Sequence, residues 1–285
     1  MTRYGLYLMN FGESSDPRVL VDLAVEAERV SWDGFFLTDT VQYHEAGQEP
    51  VTDTFNALAA IALKTQRIRI GTAVAVLPRR QPWQVARETV TIDQLSNGRL
   101  ILGVGLGDPP DVEYEKFGQT SDPRVRGEKL DESLEILQGL WSGREYSFQG
   151  THYRIDKAHF IPTPVNGSRI PIWVGGSWPN KAPFRRAARW DGVIPVKEQK
   201  TVNLEPRDLQ EITAYIKKYR INNFPFDTVI IGNGKSKQEI ETRRREYERQ
   251  GITWWLKYLP AYRNSVKEMH EQIQEGPPGS GKHHV

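Results

Sequence analysis

LILGVGLGD, residues 100–108, and IPIWVGGS, residues 170–177, decide the fold. Each is an apolar strand that runs straight into glycines, and each is followed by a helical pattern. A strand that ends in glycine ahead of a helix lets backbone approach a ligand closely and aims helix-start amides at it. Two such places inside a strand–helix rhythm point to a site at the carboxyl ends of parallel strands.

The rhythm extends in both directions. Strands are expected at Tyr4–Met9, Gly34–Leu37, Ile68–Leu77, Leu100–Val104, Pro171–Val174, Gly192–Val196, Thr228–Ile231 and Thr253–Leu256. Helices alternate with them. The first opens at Asp16-Pro17 with Leu20, Leu23, Ala24 and Ala27 at helical spacing, the second is capped by Thr52, and the third starts at Pro82 and stops at Asn97-Gly98. The others cover Arg126–Trp141, Ala182–Ala188, Pro206–Tyr219, Lys237–Arg249 and Ser265–Gln274. Eight units predict an α/β fold of the closed (β/α)₈ TIM-barrel type rather than an open doubly wound sheet. One interruption, residues 142–164, alternates aromatic and polar residues around Gln149-Gly150 and reads as an inserted β-hairpin with a Pro-rich connector. Residues 1–278 are expected to form a single barrel domain, and the aperiodic tail 279–285 to be disordered.

Composition narrows the function. The 285 residues suffice for a full core, and 38% are apolar, as in a globular chain. With 38 Lys and Arg against 36 Asp and Glu, the net charge of +2 gives no bulk attraction for nucleic acid or a membrane surface. The absence of cysteine excludes disulfides, thiolate zinc sites and cysteine nucleophiles. His152 and His159 are too isolated to argue for a metal, so none is expected. The amino-terminal stretch is too short and polar for a signal peptide, and no run reaches the roughly 18 apolar residues of a membrane span, so a cytoplasmic location is expected.

In a (β/α)₈ barrel the chemistry sits on loops at the carboxyl ends of the strands. The residues that qualify are Asn10 and Phe11; Thr38, Asp39 and Thr40; residues 73–76; Gly105, Gly107 and Asp108; Gly175, Gly176 and Ser177; and residues 255–257. Arg79 and Arg80 lie near the same rim, where an anion or plain solvent is an equal partner. Arg243, Arg244 and Arg245, followed by Glu246 and Glu248, read as an ion-paired helix face. Of Trp254 and Trp255, one should face the barrel interior and the other the helices.

At these residues the chain resembles the bacterial luciferase-like flavin monooxygenases, whose relatives include users of a deazaflavin coenzyme. The resemblance runs from Tyr4 to about Pro278 and is carried by Arg67–Gly107, with GTAVAVLP at 71–78, and by Arg169–Gly192. It implies a (β/α)₈ barrel with an extra segment after the fourth helix and a flavin ring over the barrel mouth. It also implies a non-proline cis peptide at Ala73–Val74 under that ring, and a phosphate held by Gly175, Gly176 and Ser177 with amides of the next helix. Ala73, Val74, Gly105 and Asp39 are expected to touch the cofactor. The chain departs from the pattern in two places. Asp39-Thr40 stands where many members have Asp-His, and Gly105-Leu106 stands where light emitters carry cysteine and arginine, so light emission is not expected.

Asp108 occupies the place where deazaflavin members often carry a glutamate proton donor; it either acts as an acid there or caps the loop. His44 is the other catalytic candidate, from a loop four residues beyond Thr40. The sequence leans to a monooxygenase that uses reduced FMN and oxygen on a small organic substrate, with a separate flavin reductase as partner. A deazaflavin-dependent dehydrogenase or reductase with Asp108 as acid is the alternative, and a non-catalytic flavin-binding protein a third. Substrate contacts are expected from the hairpin and from the loops after the second, fourth and seventh strands; a homodimer is the oligomer expected.

Overall fold

A computed structural model describes residues 2–43, 49–197, 204–232, 236–261 and 263–278. Eight parallel strands close into a barrel: β1 (Arg3–Leu8), β2 (Gly34–Leu37), β3 (Arg69–Val76), β4 (Leu100–Gly105), β7 (Ile172–Trp178), β8 (Gly192–Lys197), β9 (Asp227–Gly232) and β10 (Trp254–Leu259). β1 pairs with both β2 and β10 and so closes the ring. The helices α1 (Pro17–Arg29), α2 (Thr54–Lys64), α3 (Pro82–Leu95), α5 (Pro123–Trp141), α6 (Ala182–Ala187), α7 (Pro206–Tyr219), α8 (Lys237–Arg249) and α9 (Val266–Gln274) alternate with them, and a short α4 (Pro110–Glu113) follows β4. The barrel expectation therefore holds. The expected tail, 279–285, and His44 lie outside the described residues.

Strand alternation sorts the core into two bodies. Leu6, Leu8, Phe35, Leu37, Ile70, Leu102 and Val104 face outward and pack against the helices. Phe36, Ile101, Trp173, Val229, Trp254 and Leu256 face inward and fill the barrel itself. The rings of Phe36, Trp173 and Trp254 lie 5.1–5.6 Å apart in tilted and edge contacts. They need space on neighbouring strands: a Cβ on Gly34 would stand 2.5 Å from the Phe36 ring. Trp254 faces in and Trp255 out, as alternation requires. The pair opens β10 rather than ending it, so residues 255–257 are not at the carboxyl end; Lys257 points outward to the Gln272 carbonyl and Glu275.

The inserted hairpin forms as β5 (Glu145–Gln149) against antiparallel β6 (Arg154–His159). It lies flat on the outside of α5 and α3. Glu132 of α5 accepts the backbone N–H groups of Thr151, His152 and Tyr153 at 2.7–3.0 Å, Trp83 meets Tyr153 edge-on, and the Arg87 guanidinium covers Phe160. The expected substrate role of the hairpin is thereby corrected. The chain leaves the carboxyl end of α5 at the barrel end opposite the strand carboxyl ends, and no hairpin residue lines the cavity at those carboxyl ends. The cap of α2 also moves: Asp53, not Thr52, accepts from the Asn56 N–H, while the Thr52 carbonyl accepts from the Asn10 side chain.

Candidate active site

Above the ring cluster the barrel opens into a cavity of about 400 Å³ at the carboxyl ends of the strands. Its floor comes from β3, β4 and β7. Along β3 the alternation fails once: the register with β4 shifts between Thr72 and Ala75, so that Ala73 and Val74 both turn inward. The Ala73–Val74 peptide is cis, as the resemblance implied. The Val74 isopropyl group then occupies the space above two glycines. A Cβ on Gly105 would lie 2.5 Å from Val74 Cγ2, and one on Gly175 would lie 3.0 Å from Val74 Cγ1. Only glycine leaves room for Val74 between these strands.

The second glycine motif behaves differently from its sequence reading. Gly175, Gly176 and Ser177 are not a loop but the last turns of β7, in register with Ile194, Pro195 and Val196 of β8. Alternation points Gly175 inward and Gly176 outward, where a Cβ would stand 2.4 Å from Pro183 Cβ of α6. Gly176 is therefore small so that α6 can pack closely. α6 is also a poor source of amides. It spans six residues, Pro183 has no N–H, and the Ala182 N–H is turned to the Asn180 side chain. At this end of the cavity Ser177 and Asn180 supply the polar side chains. Arg186 of the same helix and Arg189 in the turn after it face Asp131, and Arg185 lies over the Tyr219 ring.

The opposite wall is charged. Asp39, at the end of β2, is buried; its carboxylate accepts from the Val76 N–H at 3.0 Å and from Arg80 at 2.7 and 3.1 Å, with Arg79 at 3.0 Å. Burial alone would raise its pKa, but the two guanidiniums and the hydrogen bonds outweigh burial and hold the carboxyl below the usual range. Arg79 Nε also lies 2.9 Å from Glu113 Oε2, close enough for ion pairing but out of line for a hydrogen bond. Glu113 ends α4, is 3% exposed and lines the cavity. Burial pushes its carboxyl above the usual range, Arg79 opposes the rise and the Asp39 charge adds to it.

The loop that carries Asp108 is pinned from behind. Tyr114 Oη donates to the Leu106 carbonyl at 2.5 Å, and Arg126, stacked on Tyr114, donates to the Gly107 carbonyl at 3.1 Å. Gly107 adopts φ +75°, a conformation that favours glycine, and Asp108 follows it, exposed at the cavity mouth. Asn10 holds the neighbouring loop: its amide bridges the Thr40 and Thr52 carbonyls and its oxygen accepts from the Thr38 hydroxyl.

The structure thus brings Asp39, Ala73, Val74, Gly105, Asp108, Gly175, Gly176 and Ser177 around one cavity. Sequence reasoning missed Glu113, Tyr7 and Asn180, which line it too. The acid directly after Pro109-Pro110 is Asp111, so nothing in the local sequence singled out Glu113, whose pairing partner Arg79 lies 34 positions away. Among the described residues no cluster of His, Asp and Glu is placed to hold a metal.

Residues 3–220 match the luciferase-like monooxygenase family. The chain belongs to this family. Among curated relatives, this luciferase-like chain is 34% identical over 187 residues to an F420-dependent glucose-6-phosphate dehydrogenase of Nakamurella multipartita, covering 64% of the chain and 53% of the relative. The chain spans about half the length of the curated relatives it matches. Among solved structures, an F420-dependent secondary alcohol dehydrogenase superposes with a TM-score of 0.76 at 15% identity, over 96% of this chain and 99% of that one. The monooxygenase RslO1 of Streptomyces bottropensis gives 0.75 at 17%, over 96% and 97%. At those identities the two structures establish the shared barrel fold. The chain is thus a member of the luciferase-like monooxygenase family and a closed (β/α)₈ barrel by architecture. No helix among the described residues is long and apolar enough to cross a membrane.

Proposed function

We propose that this chain is a deazaflavin-dependent dehydrogenase or reductase acting on a small organic substrate. The observation that carries this reading is the likeness, above 30% identity, to curated relatives named for coenzyme F420. The reading that sequence alone favoured, reduced FMN with oxygen, is supported by more distant monooxygenase structures that share the fold. It takes second place for that reason, and with it the separate flavin reductase as partner.

The residues present fit a flat ring with an anionic side chain. The floor of the cavity is Val74, raised between Gly105 and Gly175, where a Cβ on either glycine would press on its methyl groups. Ala73 and Val74 would lie against the ring, with Gly105 and Gly175 making room for Val74. Ser177 and Asn180 would hold the phosphate through neutral donors. Asp39 acts through Arg79 and Arg80, since its carboxylate oxygens are engaged by them and by Val76. Val74, Val76, Ile194 and Ile231 keep water from the reacting face. When bound, the coenzyme supplies a carrier of two electrons in the form of hydride. The protein's own part is to hold the substrate against that face and to move the accompanying proton, for which the cavity offers Asp108 and Glu113.

Titration of the purified protein with coenzyme F420, FMN and reduced FMN tests the reading. F420 should bind at least tenfold more tightly than either flavin, about 1.4 kcal/mol. Tighter binding of reduced FMN, with oxygen-dependent turnover, would return the monooxygenase reading to first place.

A further inference from the structure

We propose that Glu113, and not Asp108, is the acid that passes a proton to the molecule bound in the cavity. The inference rests on the oxidoreductase reading above and names the proton-carrying residue of that site. Two independent features of placement support it. Glu113 is 97% buried yet lines the cavity, whereas Asp108 stands exposed at the mouth. Its Oε2 atom is buried without a hydrogen bond among the described residues, although Arg79 Nε lies 2.9 Å away. The carboxyl is otherwise fixed: it accepts from the Val41 N–H, and its Cγ packs under the Gly107 turn.

The groups that face Glu113 keep it ready to hold a proton. Arg79 and Arg80 follow β3, Asp39 follows β2, and Tyr114 adjoins it in the chain. Arg80 is held by the Asp39 carboxylate, whereas Arg79 is shared: its Nη2 donates to the Asp39 main-chain carbonyl and lies 3.0 Å from the carboxylate, while its Nε faces Glu113. One acid of the pair is thereby held ionised and the other pushed toward the neutral form, the arrangement by which a site separates a permanent anion from a working acid. In the step itself only a proton moves. The O–H bond of the Glu113 carboxyl breaks, a bond forms from that hydrogen to an oxygen or nitrogen of the bound molecule, and the charge left on Glu113 falls opposite Arg79. Return of a proton in the reverse direction restores the acid.

Glu113→Gln keeps the size of the side chain and its contact with Val41 but cannot give up a proton. Infrared difference spectra of the protein without coenzyme, followed as pH rises, should show a protonated-carboxyl band that persists above the ordinary glutamate range, that Glu113→Gln removes and that Asp108→Asn leaves. In the reductive direction, F420 affinity should hold in Glu113→Gln while turnover falls by about 10²–10⁴-fold, the range for loss of a general acid. The wild-type rate should fall as pH rises through the raised Glu113 pKa, and that alkaline limb should vanish in Glu113→Gln but persist in Asp108→Asn. If Glu113→Gln does not fold, Glu113→Asp, which keeps the acid one methylene further back, should retain the band and part of the turnover. Absence of the band in the wild-type protein overturns the proposal, as does an alkaline limb that follows Asp108. Failure of F420 to bind the wild-type protein would instead strike the proposed function and leave the infrared result standing.

Discussion

The two ends of the barrel interior solve opposite problems with the same device. At the closed end, Gly34 and Gly192 withdraw their side chains so that Phe36, Trp173 and Trp254 can fill the interior. At the open end, Gly105 and Gly175 withdraw theirs so that Val74 can rise into the mouth and line the cavity. Glycine on an inward strand position thus marks a neighbour's bulk, not emptiness. What separates the ends is the polar wall: two guanidiniums and several carboxylates pair at the open end, while at the closed end the Trp173 indole donates to Asp227 and the Arg3 guanidinium lies over the Trp254 ring.

The largest effects should come from removing what each end is built around. Asp39→Asn leaves Arg79 and Arg80 buried without their shared carboxylate, and breaking such a buried pair costs about 3–5 kcal/mol. Because the Asp39 pKa is depressed in the folded state, the wild-type contribution is present above the ordinary aspartate value and is lost as pH falls through the folded one. Wild type and Asp39→Asn should therefore converge in stability under acid, and parallel curves across that window would contradict the assignment. Glu113 has the opposite sign: its raised pKa favours the fold below the ordinary glutamate value, and that contribution is lost as pH rises through the folded one. At the closed end, Trp254→Ala should cost about 3–5 kcal/mol through the cavity it leaves, without weakening coenzyme binding by the folded fraction. A large loss of affinity in Trp254→Ala would mean that the two ends are not separate.

A subtler contrast uses neighbouring glycines of one strand. Gly175→Val and Gly176→Ala both add atoms where backbone and side chains are already in contact, so each should destabilise by about 1–3 kcal/mol. Only the first adds them beside Val74, inside the mouth; the second adds them against Pro183 of α6. Coenzyme titration should show weakening of tenfold or more for Gly175→Val and little change for Gly176→Ala. Equal weakening by both would return the second glycine motif to its sequence reading as a phosphate loop.

That pair also shows what was legible in advance. The strand–helix rhythm, the barrel and the residues around the mouth could be read because they rest on local periodicity and on the rule that barrel sites sit at strand carboxyl ends. Which way Gly176 points could not, because two-residue alternation needs a starting phase, and that phase is set by Trp173 entering the interior two residues before Gly175. Glu113 was illegible for a stronger reason. Its buried neighbours Val112 and Tyr114 give no sign of a charged site, and its environment is made by Arg79 and Asp39 from two other strand ends. The hairpin's place failed similarly: its alternation was visible, but Glu132, the acceptor that ties it to α5, gave no sign of that role.

The smallest expected effect repeats the chemistry of the largest at the other end of the barrel. Asp227 opens β9, and its Oδ2 accepts the Trp173 indole N–H at 3.1 Å. Asp227→Asn removes the same charge as Asp39→Asn but leaves an amide oxygen that accepts the same bond, and Asp227 is only partly buried. A neutral hydrogen bond contributes about 0.5–1.5 kcal/mol net, and here it is retained, so the loss should stay below about 1 kcal/mol. Chemical denaturation of the two Asn variants side by side is the measurement. Comparable losses would show that the cost at Asp39 comes from the backbone bond to Val76 or from packing, and that its ion pairs with Arg79 and Arg80 are not what distinguishes the open end.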